Sequence, residues 1–485
     1  MAFTPGLQQQ TLLRIVFYYL YIPLAIFLCT WVKLWYSLPL TIILGILPLT
    51  LCPNLNAKSV SITSRQIRIT VAVLLAWVIL SGIGGFVWQN RWDHSFRNAV
   101  FNDLVSKSWP VIEGQNVLTY YIGFWLPSAG IAKITGYMWI GRLCQLLYGS
   151  VGIILAFLLT IEKVGNMKIR YLLPFILFSG VDIVGLFLSG RSLPPNFHIE
   201  LWSSFAFWES NTTLLFWVYN QAIPSWVATM IMLNFGRHNG IAALTLCFLS
   251  ISAPFSVVGL FPLALYYVIS PYPDKHRKHY ILKSVFCPAN IISLLGILPV
   301  LLYFMFNNQT TVTISFGNLG SISRIQDFIL ILVVEILVFG IFIYRQIVKN
   351  IEFYILFLTT VFCLFIHMGT SRDFNSRVEL PLNFFMTTQI MIYISRWGNK
   401  SLVTRLCFLG VSFLAALTPF LEMSRILYQS VKIPQSEYLS IDKESIFEFQ
   451  TLRHNFVSDS IYSRSELPLG FKLFNYPDSP DKNHQ

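Results

Sequence analysis

Long apolar runs, each near the length of a membrane helix, recur along the chain and are separated by short polar loops. A spanning helix needs about 20 mostly apolar residues. The segments 12–32, 36–53, 68–88, 138–160, 171–189, 212–234, 240–253, 256–270, 281–306, 326–344, 351–368, 380–395 and 402–421 fit that pattern. The 240–253 and 256–270 runs are short and meet at Pro254, so they read either as one bent helix or as a hairpin, a choice that the charge of the loops decides. Leu118 to Ile134 is also apolar. The pattern changes in QNRWDHSFRNAVFNDLVSKSWPVIEGQNVLTYY (89–121), where Phe96, Val100, Phe101 and Leu104 recur at helical spacing. That predicts an amphipathic helix opening at Asp93, with Arg97 and Val100 on the same face and Asp103 about one turn further along.

Composition narrows the fold class. Of 485 residues, 55% are hydrophobic and 12% charged, against about 25% charged in a soluble domain. Length alone would suggest about three domains, but so little polar surface cannot solvate three globules. Disorder needs the opposite balance. The reading is an all-α polytopic membrane protein of about 13 spans, with one membrane domain over 1–421 and a short outside tail over 422–485. Residues 89–137 form its first large outside loop. The seven cysteines lie in or beside apolar runs without metal-ligand spacing, so they read as buried thiols.

The net charge of +12 reports orientation before it reports a partner, because cytoplasmic loops collect Lys and Arg. With a cytoplasmic N-terminus, Lys58, Lys163, the KHRKH run at 275–279, Arg345 and Arg405 all fall inside. Asp93, Asp103, Glu200, Glu209, Asp373 and Glu379 fall in or beside outside loops. Counting 118–134 as a span, or merging 240–270, puts KHRKH outside and is rejected. The 118–134 segment is then re-entrant or interface-lying. The expected location is the plasma (inner) membrane, with the C-terminus outside and no nucleic-acid partner.

Charged residues near lipid are costly and therefore informative. Asp93, about five residues beyond the third span, is either a helix N-cap or a carboxylate with a chemical role, and one residue can be both. In GTSRDFNSRVELP (369–381), Arg372 and Arg377 are suited to grip a phosphate; the alternative is a solvated turn with a local ion pair. In RSLPPNFHIELWSSFAFWESNTT (191–213), His198, Glu200 and Trp202 form either an interfacial aromatic belt or a sugar-stacking platform. The glycines of GIGG (82–85) read as helix packing. Asp182, Glu335 and His367 are the mid-span ionisable residues that a transporter would use.

An apolar span followed by an outside loop with an Asp just past the membrane resembles membrane glycosyltransferases of the GT-C fold. LTYYIGFWLPSAGIAKITGYMWIGRLCQLLYGSVGIILAFLL (118–159) continues that resemblance through its aromatic juxtamembrane stretch and the span beginning near Arg142. TLLFWVYNQAIPSWVATMIM (213–232) and SRDFNSRVELPLNFF (371–385) resemble segments of uncharacterised bacterial members. The resemblance implies an inverting enzyme that takes a sugar from a polyprenyl-phosphate donor on the outer face. The acceptor is a cell-envelope glycan, lipid or protein. Asp93 matches the position of the base, with Asp103 second. Arg372 and Arg377, then Arg142 and Arg97, are the candidates for the lipid phosphate; His94, His198, Glu200 and Trp202 are the candidates for substrate contact. His94 stands where better-known members carry a second acidic residue, and no metal ligand set is found, so a divalent metal has no residues assigned to it. The rival readings are a transporter or translocase and a non-catalytic membrane assembly protein.

Overall fold

The computed structural model describes residues 5–51, 60, 62–89, 93–113, 116–194, 198–270, 284–305, 314–316, 321–368, 373–434, 445–448, 457–458 and 473–475. Arg372, the KHRKH run at 275–279 and most of the tail beyond 434 lie outside the described residues.

The chain is predominantly helical. In order come α1 (Pro5–Trp31), α2 (Leu34–Leu51), α3 (Ser64–Leu80), α4 (Asp93–Ser106), α5 (Leu126–Thr135) and α6 (Met138–Val164). Then follow α7 (Leu172–Leu177), α8 (Asp182–Ser189), α9 (Asn211–Phe235), α10 (Ile241–Leu249), α11 (Pro254–Ile269) and α12 (Pro288–Met305). The last are α13 (Ile322–Leu330), α14 (Val338–Ile347), α15 (Ile351–Cys363), α16 (Asp373–Val378), α17 (Leu380–Ser395) and α18 (Leu402–Lys432). A π-helical turn, Ile331–Leu337, joins α13 to α14. The strands β1 (Ile112–Glu113), β2 (Asn116–Leu118) and β5 (Val457–Ser458) form one small antiparallel sheet, and β3 (Ile314–Phe316) pairs with β4 (Ile366–Met368).

Among the described residues, seven helical stretches are long and apolar enough to cross a membrane: Gln9–Trp31, Leu34–Leu51, Met138–Val164, Ile169–Ser189, Pro288–Met305, Ile322–Ile347 and Leu402–Lys432. The chain is a multi-pass membrane protein. Its last helix, α18, turns Leu402, Leu409, Phe413, Phe420 and Val431 outward, which suits lipid and not water. At the centre stands α9, where every residue except Trp217 and Asn234 is buried. Trp226 of α9 stacks between Trp77 and Phe384, with ring centroids 6.1 and 5.2 Å away.

Hydrogen bonds between helix termini define two ends of the bundle. At one end Gln9 Nε2 donates to Glu162 Oε1 (2.7 Å), Gln66 Nε2 to the Met167 carbonyl (3.0 Å) and Arg170 to the Ile394 carbonyl (2.9 Å). Arg237 pairs with Glu352 at 3.4 Å at that end too. At the other end the amide of Gly123 donates to the Ile251 carbonyl (3.2 Å), and the amide of Asn475 to the Trp31 carbonyl (2.9 Å). Arg191 pairs there with Asp327 at 2.8 Å.

Several boundaries move for backbone reasons that hydropathy does not see. The third run, 68–88, is helical only as Ser64–Leu80, opened by a Thr63–Gln66 capping box. Gly82, Gly84 and Gly85 then adopt φ near +80°, which ends the helix. The GIGG glycines therefore serve close packing in a left-handed turn and not on a helix face. A Cβ at Gly84 would lie 2.7 Å from the Arg142 carbonyl oxygen. Gly84→Ala is expected to cost about 1–2 kcal/mol from the left-handed backbone alone, more with that clash, and to lower the melting temperature in detergent accordingly. The 171–189 run breaks between Phe178 and Val181, so Asp182 opens α8. The last run continues unbroken to Lys432, which places Glu422 inside α18 and not in a tail. The 118–134 segment resolves into β2, a 3-10 turn and the ten-residue α5, too short to span. The 240–270 region forms two helices separated at Ser250–Ala253.

Candidate functional site

The three polar clusters, far apart in sequence, meet at the end of the bundle that carries α4. Asp93 is the first residue of α4; its side chain is 35% exposed and its Oδ2 stands 4.0 Å from Arg97 Nη2, one turn on. Arg377, at the C-terminal end of α16, pairs with Glu209 and lies 3.6 Å from Asp373 Oδ1. The charges of Arg97, Asp373 and Arg377 all act on the Asp93 carboxyl, and His198 lies within the same reach. Burial pushes that carboxyl above the usual carboxylate range, while Arg97 and Arg377 pull it back.

Local packing explains why these groups stay together. Gly259 of α11 permits α16 to approach so closely that a Cβ there would lie 2.3 Å from the Val378 carbonyl oxygen. Ser256 Oγ donates to the Arg377 carbonyl (3.0 Å), and Asn383 Nδ2 to the Glu209 carbonyl (2.7 Å). These ties fix both partners of the Arg377–Glu209 pair from the backbone side.

Among the described residues, Arg97 has no close carboxylate of the kind Glu209 provides to Arg377. Its side chain is 7% exposed, yet its Nε and Nη1 have no hydrogen-bond acceptor among the described residues. The guanidinium lies over the Tyr219 ring, 5.8 Å from its centroid. Tyr219 is held in turn by Trp125 Nε1 (3.2 Å) and Gln145 Nε2 (3.1 Å), both donating to its hydroxyl. A buried cation with idle donors beside a half-exposed carboxylate is suited to an anionic oxygen ligand. Tyr120 and Tyr121, with ring centroids 3.7 Å apart, add an aromatic wall. Burial, aided by the charge of Asp373, pushes the Tyr121 hydroxyl up to about 12, so it stays protonated.

His198 belongs to the same cluster. Its Nδ1 is 3.0 Å from Glu422 Oε1 and its Nε2 2.5 Å from Arg425 Nη1. Because Arg425 can only donate, Nε2 accepts and the neutral ring carries its proton on Nδ1, donated to Glu422. Glu422 also pairs with Arg425 and accepts from Trp217 Nε1 at 3.0 Å.

Four other candidates have structural work instead. His94 Nε2 lies 2.7 Å from the Phe216 carbonyl oxygen, beside the kink of α9 at Val218; a carbonyl only accepts, so Nε2 carries the proton. Burial lowers its pKa to about 3, and the ring faces the core. Glu200 Oε1 accepts from the Ser210 amide and the Thr213 hydroxyl, both at 2.8 Å, at the N-terminus of α9 where a carboxylate is favoured. Trp202 donates to Glu335 Oε1 (2.8 Å) and packs on Gly185, so it offers no open stacking face. Asp103 is turned to the tail, accepting from the Ile446 amide (2.8 Å) and Ser445 Oγ (3.0 Å). Arg142 is half-buried at the start of α6.

No family model, curated protein or solved structure matches the chain.

The site therefore rests on its own geometry. Among the described residues, no group of three His, Cys, Asp or Glu is placed to hold a metal ion. Tyr219, Glu422 and Arg425 carried no signal as site residues in the sequence, although Glu422 and Arg425 are an i, i+3 pair that continues the helical period of the last span.

Proposed function

We propose that the chain is an integral-membrane glycosyltransferase that moves a sugar from a polyprenyl-phosphate donor to an acceptor at the α4 end of the bundle. The observation that carries the reading is the buried Arg97 guanidinium, with two idle nitrogens, one turn from the half-exposed Asp93 carboxylate. In this reading Asp93 accepts the proton of an acceptor hydroxyl. The acceptor oxygen attacks the anomeric carbon from the face opposite the phosphate, and the bond to the phosphate oxygen breaks with inversion. Arg97 takes the departing lipid phosphate by charge-assisted hydrogen bonds; Arg377, occupied by Glu209, contributes its field. The two ends of the bundle support a cytoplasmic N-terminus: Lys163, Arg170 and Arg237 bond at one end, and Asp93 lies at the other.

A lost charged hydrogen bond is worth about 1.5–3 kcal/mol. Arg97→Gln is therefore expected to weaken binding of polyprenyl monophosphate, measured in lipid nanodiscs, about 10- to 100-fold. Unchanged binding would remove Arg97 from the donor site.

One feature favours a second reading, a translocase. Asp182 lies at the break between α7 and α8, bonded by Ser179 Oγ (3.0 Å) and Thr418 Oγ1 (2.7 Å), and Glu335 lies in the π-helical turn. Both are buried in apolar stretches. Interrupted helices with carboxyls at bilayer depth suit transport. Transbilayer movement of the lipid in reconstituted vesicles, retained in Asp93→Asn and lost in Asp182→Asn, would select that reading.

A further inference from the structure

Beyond α18 the described tail is fastened at three separate places. Residues 445–448 sit on α4, where the Ile446 amide and Ser445 Oγ both donate to Asp103 Oδ2. Lys107 Nζ donates to Ser445 Oγ at 3.2 Å and stands 4.6 Å above the Phe447 ring, and Ile446 is fully buried. Next, β5 pairs with β2, placing Ser458 against Val117 and Val457 against Leu118. Last, the amide of Asn475 donates to the Trp31 carbonyl (2.9 Å), and Asn475 Nδ2 to those of Thr30 (3.0 Å) and Val32 (3.2 Å). Those are the carbonyls that the C-terminus of α1 leaves without helical partners. Phe474 beside them is 1% exposed.

The first fastening bears on the site. The Asp103 side chain is 1% exposed, and among the described residues outside the tail its charged partner is Lys107 Nζ, one residue past α4 and 3.6 Å from Oδ1. Its two short hydrogen bonds come from the tail. A buried carboxylate without donors is disfavoured, so the docked tail steadies the Asp103 end of α4, while His94 (to the Phe216 carbonyl) and Asn98 (to Gln89) tie its first half. The same 14-residue helix carries Asp93 and Arg97 at its other end, and a helix transmits a shift of one end to the other. Lys133, which donates to the Val105 carbonyl (3.1 Å), holds only the last turn.

We propose that the C-terminal tail is a strap that sets the position of α4, with Asp103 as a positioning residue for Asp93 and Arg97. The use made of Asp93 and Arg97 rests on the glycosyltransferase reading; the strap does not. Hydrogen exchange of the full chain in nanodiscs, followed by mass spectrometry, tests it without any substrate. Asp103→Asn and Ile446→Pro should each raise exchange about tenfold or more across α4, including residues 94–100 next to Asp93, while α9 (211–235) is unchanged. The double variant should match the larger single effect, because both remove one tie. Ser445→Ala, which deletes one donor and is the mildest change, should move the same amides less. An increase confined to residues 103–107, an equal increase in α9, or additive effects in the double variant would overturn the proposal.

Discussion

Asp93→Asn is expected to reduce sugar transfer by about 100- to 10,000-fold, the usual loss on removing a general base, with the melting temperature nearly unchanged. The amide keeps the shape of the side chain at the start of α4 but cannot accept the acceptor's proton. In the wild type the carboxyl must be ionised to act. Transfer should therefore be full at pH values above the Asp93 pKa and fall as pH drops through it. Because burial raises that pKa, the acid limb should lie above the range of an ordinary aspartate, and Asp93→Asn should abolish it. A variant that loses activity and stability together would show Asp93 to be a cap and nothing more.

The second large effect concerns the fold around the site. Arg377→Met strands Glu209, whose side chain is 13% exposed, without its cation. Removing one partner of a buried pair costs about 3–5 kcal/mol, read as loss of folded protein in detergent or a large drop in melting temperature. Asp373, 55% exposed, is solvated and needs no such rescue. Adding Glu209→Gln to Arg377→Met should restore much of the stability, because the stranded charge is then gone. Equal destabilisation in the single and double variants would mean that the guanidinium acts through packing alone.

Parts of this arrangement were legible in the sequence. The helix opening at Asp93 follows from the 3.6-residue spacing of Phe96, Val100 and Leu104, and it is observed as α4. The clusters at 89–121, 191–213 and 369–381 were placed on one side by charge, and the structure brings Asp93, His198, Glu209 and Arg377 from all three together. The rest was hidden for physical reasons. Hydropathy registers side chains and not φ, so the apolar runs concealed the left-handed turn at Gly82–Gly85 and the break before Asp182. Asp103 and Glu200 looked like free outside carboxylates because their partners are backbone amides of Ile446 and Ser210, which no motif announces. Trp202 looked like a stacking surface because its partner, Glu335, lies 133 residues away.

The central claim is that Asp93 and Arg97 form one catalytic centre for a phosphate-linked sugar. The most direct measurement is release of polyprenyl phosphate from a polyprenyl-phosphate sugar by the purified chain in nanodiscs, run beside Asp93→Asn and Arg97→Gln. The wild type should release it, Asp93→Asn almost none, and Arg97→Gln should require more donor. Equal release by all three chains, or none by the wild type under conditions where it moves the intact lipid across the bilayer, would contradict that claim.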